Sequence, residues 1–145
     1  MKRSDPVVVV ERCFECSKEA LWQAISDPSR MRQWFFPDIV DFRPEPGFTT
    51  EFMVDAGERQ FMHQWEVTDV EHGRVLAYRW RYLGYEGAAR SVFELDGDES
   101  SCALRISFPV DEDFEAEIPE FEREACMGGW TYFIGALGDY LAEAG

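Results

Sequence analysis

Histidine is nearly absent: His63 and His72 are the only two in 145 residues, which excludes most metal sites built from several imidazoles. Cysteine is sparse as well. Cys13, Cys16, Cys102 and Cys126 give one C-x-x-C, Cys13 to Cys16, with no second pair and no nearby histidine to complete a zinc or redox site. That pair falls in a strand-like segment, where positions three apart face opposite sides. The four cysteines therefore read as small buried hydrophobes, and no metal or cofactor is expected. Basic residues are outnumbered, 14 against 29 acidic, for a formal net charge of −15. Such a chain is repelled by phosphate backbones and anionic headgroups, so nucleic acid and membrane surfaces are excluded as partners. No apolar run approaches the roughly 18 residues of a membrane span. The stretch Val7 to Val10 is too short for a secretory h-region, and a cytoplasmic location is expected. Gly-rich phosphate loops and G-x-S-x-G elbows are missing too.

What is present is a core. Hydrophobic residues make up 46% and aromatics 15%, with 12 Phe, 5 Trp and 5 Tyr. That supports one compact domain over residues 1–145 and suggests a bulky interior or an aromatic-lined cavity. The segment Val7 to Phe14 is β-branched and apolar, a first strand. Ser17 offers an N-cap to a helix over Lys18 to Ile25, which Asp27-Pro28 ends, and Ser29 to Trp34 forms a second short helix. Strands follow over Ile39 to Phe42, Phe48 to Val54, Phe61 to Val70, Val75 to Tyr82, Arg90 to Leu95 and Cys102 to Phe108, with turns at Gly- and Asp-rich junctions. One antiparallel sheet of about six or seven strands is the economical arrangement.

From Asp111 to Glu124 the chain carries eight acidic residues and one base, read as a solvated loop and helix entry whose acids complement a helix dipole. A long helix is expected from Pro119 toward Ala144, with Met127, Trp130, Ile134, Leu137 and Leu141 as its buried stripe. Gly128, Gly129, Gly135 and Gly138 each cost roughly 1 kcal/mol relative to Ala inside a helix. Close approach of strand backbone is the simplest offset.

Several short segments carry a family likeness: Ala20-Leu21-Trp22, Asp27-Pro28, Gln33-Trp34-Phe35, Pro46-Gly47-Phe48, Val75 to Trp80, Ser91-Val92-Phe93, Gly129-Trp130, Leu137 and Leu141. In this order they resemble the homologues of the activator of the heat-shock protein 90 ATPase, within the START-like (SRPBCC) superfamily. The resemblance implies an α+β helix-grip fold: a curved antiparallel sheet wrapped around a long C-terminal helix, with two short helices after the first strand. It also implies a cavity between sheet and helix, in a superfamily ranging from lipid carriers to polyketide cyclases.

Period two places Phe61, His63, Trp65 and Val67 on one face of a strand, and Leu76, Tyr78, Trp80 and Tyr82 on one face of the next, opposite Arg79 and Arg81. Phe52 and Phe93 fall on inward faces. With Trp34, Met127, Trp130 and Ile134 these build an aromatic interior with a few polar handles, the usual character of a ligand pocket. The candidate ligand-binding residues are thus Trp34, Phe52, Phe61, His63, Trp65, Tyr78, Trp80, Phe93, Met127, Trp130 and Ile134. Aromatic stripes also make ordinary packed core, and the run Trp34 to Pro37 reads equally as a cavity lid or as a staple for the second helix.

Three functions fit. The first is non-catalytic binding of a small hydrophobic, lipid-like or aromatic molecule. The second is a polyketide cyclase or dehydratase using His63 as general base, with Tyr78 or Arg79 stabilising an enolate. The third is a co-chaperone-like interaction module that docks a protein partner through the acidic face. An exposed strand edge leaves monomer and homodimer open.

Overall fold

The computed structural model describes residues 1–144. Strand β1 (Val8–Phe14) is followed by helices α1 (Lys18–Ser26) and α2 (Pro28–Trp34). Six strands come next: β2 (Thr49–Asp55), β3 (Gln60–Glu71), β4 (Val75–Tyr82), β5 (Ala88–Gly97), β6 (Cys102–Phe108) and β7 (Val110–Glu112). A single 3₁₀ turn (Pro119–Phe121) then leads into α3 (Arg123–Ala144). The strands form one seven-stranded antiparallel sheet in the order β1-β6-β5-β4-β3-β2, with β7 pairing β5. The sheet curves around α3, which is the helix-grip arrangement.

Local chemistry explains the boundaries. The Ser17 hydroxyl accepts from the Ala20 amide at 3.0 Å and starts α1. Asp27 leaves helical geometry ahead of Pro28, ending α1, and its carboxylate accepts from the Arg30 amide at 3.2 Å to start α2. In β3 and β4 the alternation of large apolar and polar residues puts one face on the helix and the other in water. Phe61, His63, Trp65 and Val67 are buried, as are Leu76, Tyr78 and Trp80. The β3–β4 register shifts between Val67 and Asp69, a bulge at Thr68 that adds local twist and curvature. Trp130, Ile134 and Leu137 are the stripe of α3 that packs against the inner face, with Met127 and Leu141 half-buried at its ends.

Four local expectations are corrected. Residues Ile39 to Phe42 form no strand. Their carbonyls serve Arg32 instead, whose Nε donates to the Ile39 oxygen at 2.7 Å and whose Nη2 donates to the Val40 oxygen at 2.8 Å. The C-terminal helix does not run from Pro119. The chain breaks at an extended Glu122 because Phe121 turns inward, stacking on Tyr82 with ring centres 4.8 Å apart. Of the cysteines only Cys102 is fully buried; Cys13 is exposed on β1, and Cys16 and Cys126 are half-buried.

Strand backbone does not approach the helix glycines. A Cβ on Gly128, Gly129 or Gly135 would meet nothing within 4 Å, whereas one on Gly138 would sit 2.6 Å from the Arg12 guanidinium carbon. Of the four only Gly138 would bring a Cβ into contact, and the contact is the far end of the exposed, flexible Arg12 side chain, which also lies over the Phe14 ring.

Candidate functional site

A cavity of about 320 Å³ lies between the inner face of the sheet and the first half of α3. Val54 of β2, Phe61 and His63 of β3, Trp80 and Tyr82 of β4, and Phe108 of β6 form its sheet wall. Cys126, Gly129, Trp130 and Phe133 form the helix wall, Phe114 and Phe121 close one end, and Phe36 projects in from the segment after α2. Larger clefts of about 590 and 680 Å³ lie among charged side chains such as Arg79, Arg81, Glu94 and Arg105. Those are grooves between long solvated side chains, without the apolar enclosure that holds a small molecule.

Four of the eleven candidate residues line the cavity: Phe61, His63, Trp80 and Trp130. The others pack behind it. Trp34 is a staple, its indole N–H donating to the Ala24 carbonyl at 2.7 Å and tying α2 to α1. Its neighbour Phe36 takes the position at the cavity, 4.9 Å from Phe133 between ring centres. Phe52, Trp65, Tyr78 and Phe93 form the layer next to the wall: Trp65 lies 5.0 Å from Trp80, and Tyr78 lies 5.8 Å from Phe93. Ile134 and Met127 project from α3 beside the wall residues without joining them.

The wall residues not singled out from sequence had signals of two strengths. Val54, Tyr82 and Phe108 already stand within the strands expected from sequence, on the same period-two faces as Phe52, Trp80 and Ile106, so the alternation reaches them. Cys126, Gly129 and Phe133 are a second helical stripe one position aside from Met127, Trp130 and Ile134. Phe114 and Phe121 sit in the acidic stretch, where only their aromatic character among carboxylates marked them.

His63 is the polar centre of the wall and is 4% exposed. Its Nδ1 lies 3.2 Å from the carbonyl of Phe61, two residues earlier on the same strand. A carbonyl can only accept, so Nδ1 carries the proton, and the neutral ring leaves Nε2 as a lone-pair acceptor. Burial lowers the His63 pKa to about 4, against the opposing pull of the Phe61 carbonyl. The ring stacks on Phe52 with centres 5.0 Å apart, and the edges of Tyr82 and Trp80 stand 4.8 and 5.3 Å away. No described residue hydrogen-bonds Nε2.

Other polar groups are held out of play. Burial pushes the phenols of Tyr78 and Tyr82 well above their usual range, so both stay protonated. Trp65 Nε1 is enclosed without a hydrogen-bond partner, a cost of about 1–3 kcal/mol; Tyr78 Oη and Trp80 Nε1 are also enclosed, beside the Ser91 and Tyr82 side chains but without a well-formed hydrogen bond. Burial raises the Cys126 thiol to about 12, leaving it uncharged and weakly nucleophilic. Arg79 lies on the outer face beside Glu112 at 3.9 Å and is not on the cavity wall, so the enolate-stabilising partnership expected with His63 is not assembled by it. Tyr78 is no substitute, since its hydroxyl is enclosed behind the wall. Among the described residues no group of three His, Cys, Asp or Glu side chains could hold a metal ion, and no helix is long and apolar enough to cross a membrane.

The acidic stretch is largely engaged within the chain. Arg90 pairs with Asp111 at 3.0 Å, Arg81 with Glu112 at 2.6 Å and Arg59 with Glu120 at 3.2 Å. Arg3 donates its amide to Asp113 at 2.7 Å.

A curved sheet gripping a long helix over an apolar cavity defines a START-like scaffold. Residues 15–142 match the family of Activator of Hsp90 ATPase homolog 1-like proteins, and the chain belongs to that family. Among solved structures, DynU16 of the dynemicin biosynthetic locus is 26% identical, with a TM-score of 0.75 over 95% of this chain. The chain spans 48% of the length of DynU16. A protein of Mesorhizobium loti is 24% identical over 97% of this chain and 99% of its own, with a TM-score of 0.76. The AHSA1 protein of Silicibacter pomeroyi is 18% identical over 97% and 100%, with a TM-score of 0.74. The last two share the fold. No curated protein sequence matches the chain.

Proposed function

We propose that this protein binds a small hydrophobic or aromatic molecule in the cavity between the sheet and α3, without catalysis, as a single START-like domain of the cytoplasm. The observation that carries this reading is the cavity itself: about 320 Å³ walled by aromatic side chains, at the lower end of the range of small-molecule pockets. Gly129 supports it. A glycine inside a helix costs about 1 kcal/mol relative to Ala, and here no neighbouring backbone demands it, yet it lines the cavity. A side chain at that position would occupy space the ligand needs.

Native mass spectrometry of freshly purified protein, followed by solvent extraction, tests the proposal. A reproducible extra mass in the wild type that is lost in Gly129→Leu supports it, because a Cβ there meets nothing within 4 Å and the larger side chain takes up cavity volume. A bare mass, together with no thermal shift from a panel of lipids and aromatic compounds, refutes it.

A cyclase-like enzyme is the second reading, favoured by the unpartnered Nε2 of His63 on the wall and by the similarity to DynU16 of a biosynthetic locus. A neutral imidazole can take a proton, but no carboxylate orients it, which weakens this reading relative to binding alone. Retention of any detected turnover in His63→Ala would remove it. Docking of a protein partner through the acidic stretch is disfavoured by the internal arginine pairs that already occupy Asp111, Glu112 and Glu120.

A further inference from the structure

The identity of the ligand is constrained by Nε2 of His63, the wall's side-chain atom that can only accept a hydrogen bond and has no donor among the described residues. We propose that the ligand is an uncharged aromatic molecule of two or three fused rings carrying a hydroxyl group, which donates a hydrogen bond to Nε2 of His63. The inference rests on the cavity being the ligand site.

Three observations converge on that class. His63 lines the cavity, and its Nδ1 is turned back to the carbonyl of its own strand at 3.2 Å, so Nε2 is the ring's remaining polar atom and is an acceptor. Nε2 is open to the cavity, and a ligand that displaces water from it keeps a partner there if it brings a hydroxyl, where a hydrocarbon cannot. The surroundings of the ring on the wall are flat: Phe36, Trp80 and Tyr82 lie with ring centres 4.8 to 5.3 Å from the imidazole and border the cavity with aromatic surface. A volume of about 320 Å³ corresponds to roughly ten molecules of liquid water at ~30 Å³ each, which suits two or three fused rings.

Charge selects a neutral guest. The chain carries a net charge of −15, so its field opposes entry of an anion. On the wall the only charged side chain is Glu120, matched by Arg59 at 3.2 Å. The amine of Met1 also lies there and donates to the Phe121 carbonyl at 2.5 Å.

Isothermal titration calorimetry with four probes separates these possibilities: naphthalene, 2-methoxynaphthalene, 2-naphthol and 2-naphthoate. The expected result is 2-naphthol binding about five- to tenfold more tightly than naphthalene or its methyl ether, the worth of one neutral hydrogen bond. In His63→Phe the ratio of 2-naphthol to naphthalene affinity falls to about one. The ¹⁵N resonance of His63 Nε2 gives a readout that does not depend on the variant folding. It should move on addition of 2-naphthol and stay in place with naphthalene. Equal affinities for 2-naphthol and naphthalene, with Nε2 unmoved, overturn the hydroxyl inference and leave the cavity as a binding site. Tighter binding of 2-naphthoate than of 2-naphthol overturns it in favour of an anionic ligand. Failure of all four probes overturns both the hydroxyl and the cavity.

Discussion

Lowering the pH from 7 to 5 perturbs His63 before it protonates most carboxylates, and its effect can be worked through. In the unfolded chain the imidazole titrates near 6.5, whereas burial holds it to about 4 in the folded protein. Between those values the unfolded state binds the proton and the folded state refuses it, so stability falls as the pH falls. The stabilisation is fully present above about 6.5 and is lost on the way down to about 4. Each pH unit inside the window removes about 1.4 kcal/mol, so the descent from 6.5 to 5 removes about 2 kcal/mol. That is a large share of the total for a domain of this size.

Urea unfolding of the wild type and of His63→Phe at pH 7 and pH 5 isolates the term. Carboxylate effects and the exposed His72–Glu19 pair at 2.9 Å are common to both proteins and cancel in the difference. The wild type should lose about 2 kcal/mol more than the variant over this interval. Equal losses, or a His63 titration near 6.5 followed by NMR, would refute the picture of a desolvated neutral imidazole.

Other substitutions test the packing. Gly128→Ala and Gly135→Ala should each raise stability by about 0.5–1 kcal/mol through helix propensity. Gly138→Ala should gain less, because the new Cβ meets the Arg12 guanidinium at 2.6 Å and that exposed side chain must move off the Phe14 ring; thermal melts of the three variants compare them directly. Tyr78→Phe removes an enclosed hydroxyl that lies beside the Ser91 side chain without a well-formed hydrogen bond and should change stability by less than about 1 kcal/mol in urea unfolding. A loss of 1 kcal/mol or more would instead reveal a hydrogen bond to that oxygen. Gly87→Ala should cost about 2 kcal/mol or more, since its φ is +114° and a Cβ would lie 2.6 Å from the Phe114 backbone; a melting point within a degree of wild type would contradict that.

Much of this protein was legible in sequence where the deciding interactions are local. Ser17 and Asp27-Pro28 set helix ends through bonds a few residues long. The alternation in Phe61 to Val67 and Leu76 to Tyr82 decided which side chains face the helix, because period two leaves no other choice. The spacing of Trp130, Ile134 and Leu137 did the same for α3. The segment Ile39 to Phe42 has the composition of a strand and is not one, since a guanidinium from α2 takes its carbonyls.

Which inward-facing residues pack and which border open space was a matter for the tertiary structure alone. Trp65 and Trp80 share the same periodic signal, yet one lies behind the wall and the other on it, because sheet curvature and the seating of α3 set the depth of each. Phe36, Phe114 and Phe121 reach the cavity from irregular segments whose path no periodicity describes. Gly129 could be read as a helix liability, but its role as open wall required the helix to be placed. Sequence put His63 on the inner face. Only the return of its Nδ1 to the Phe61 carbonyl, and the lack of any donor at Nε2, made it an acceptor waiting in an apolar room.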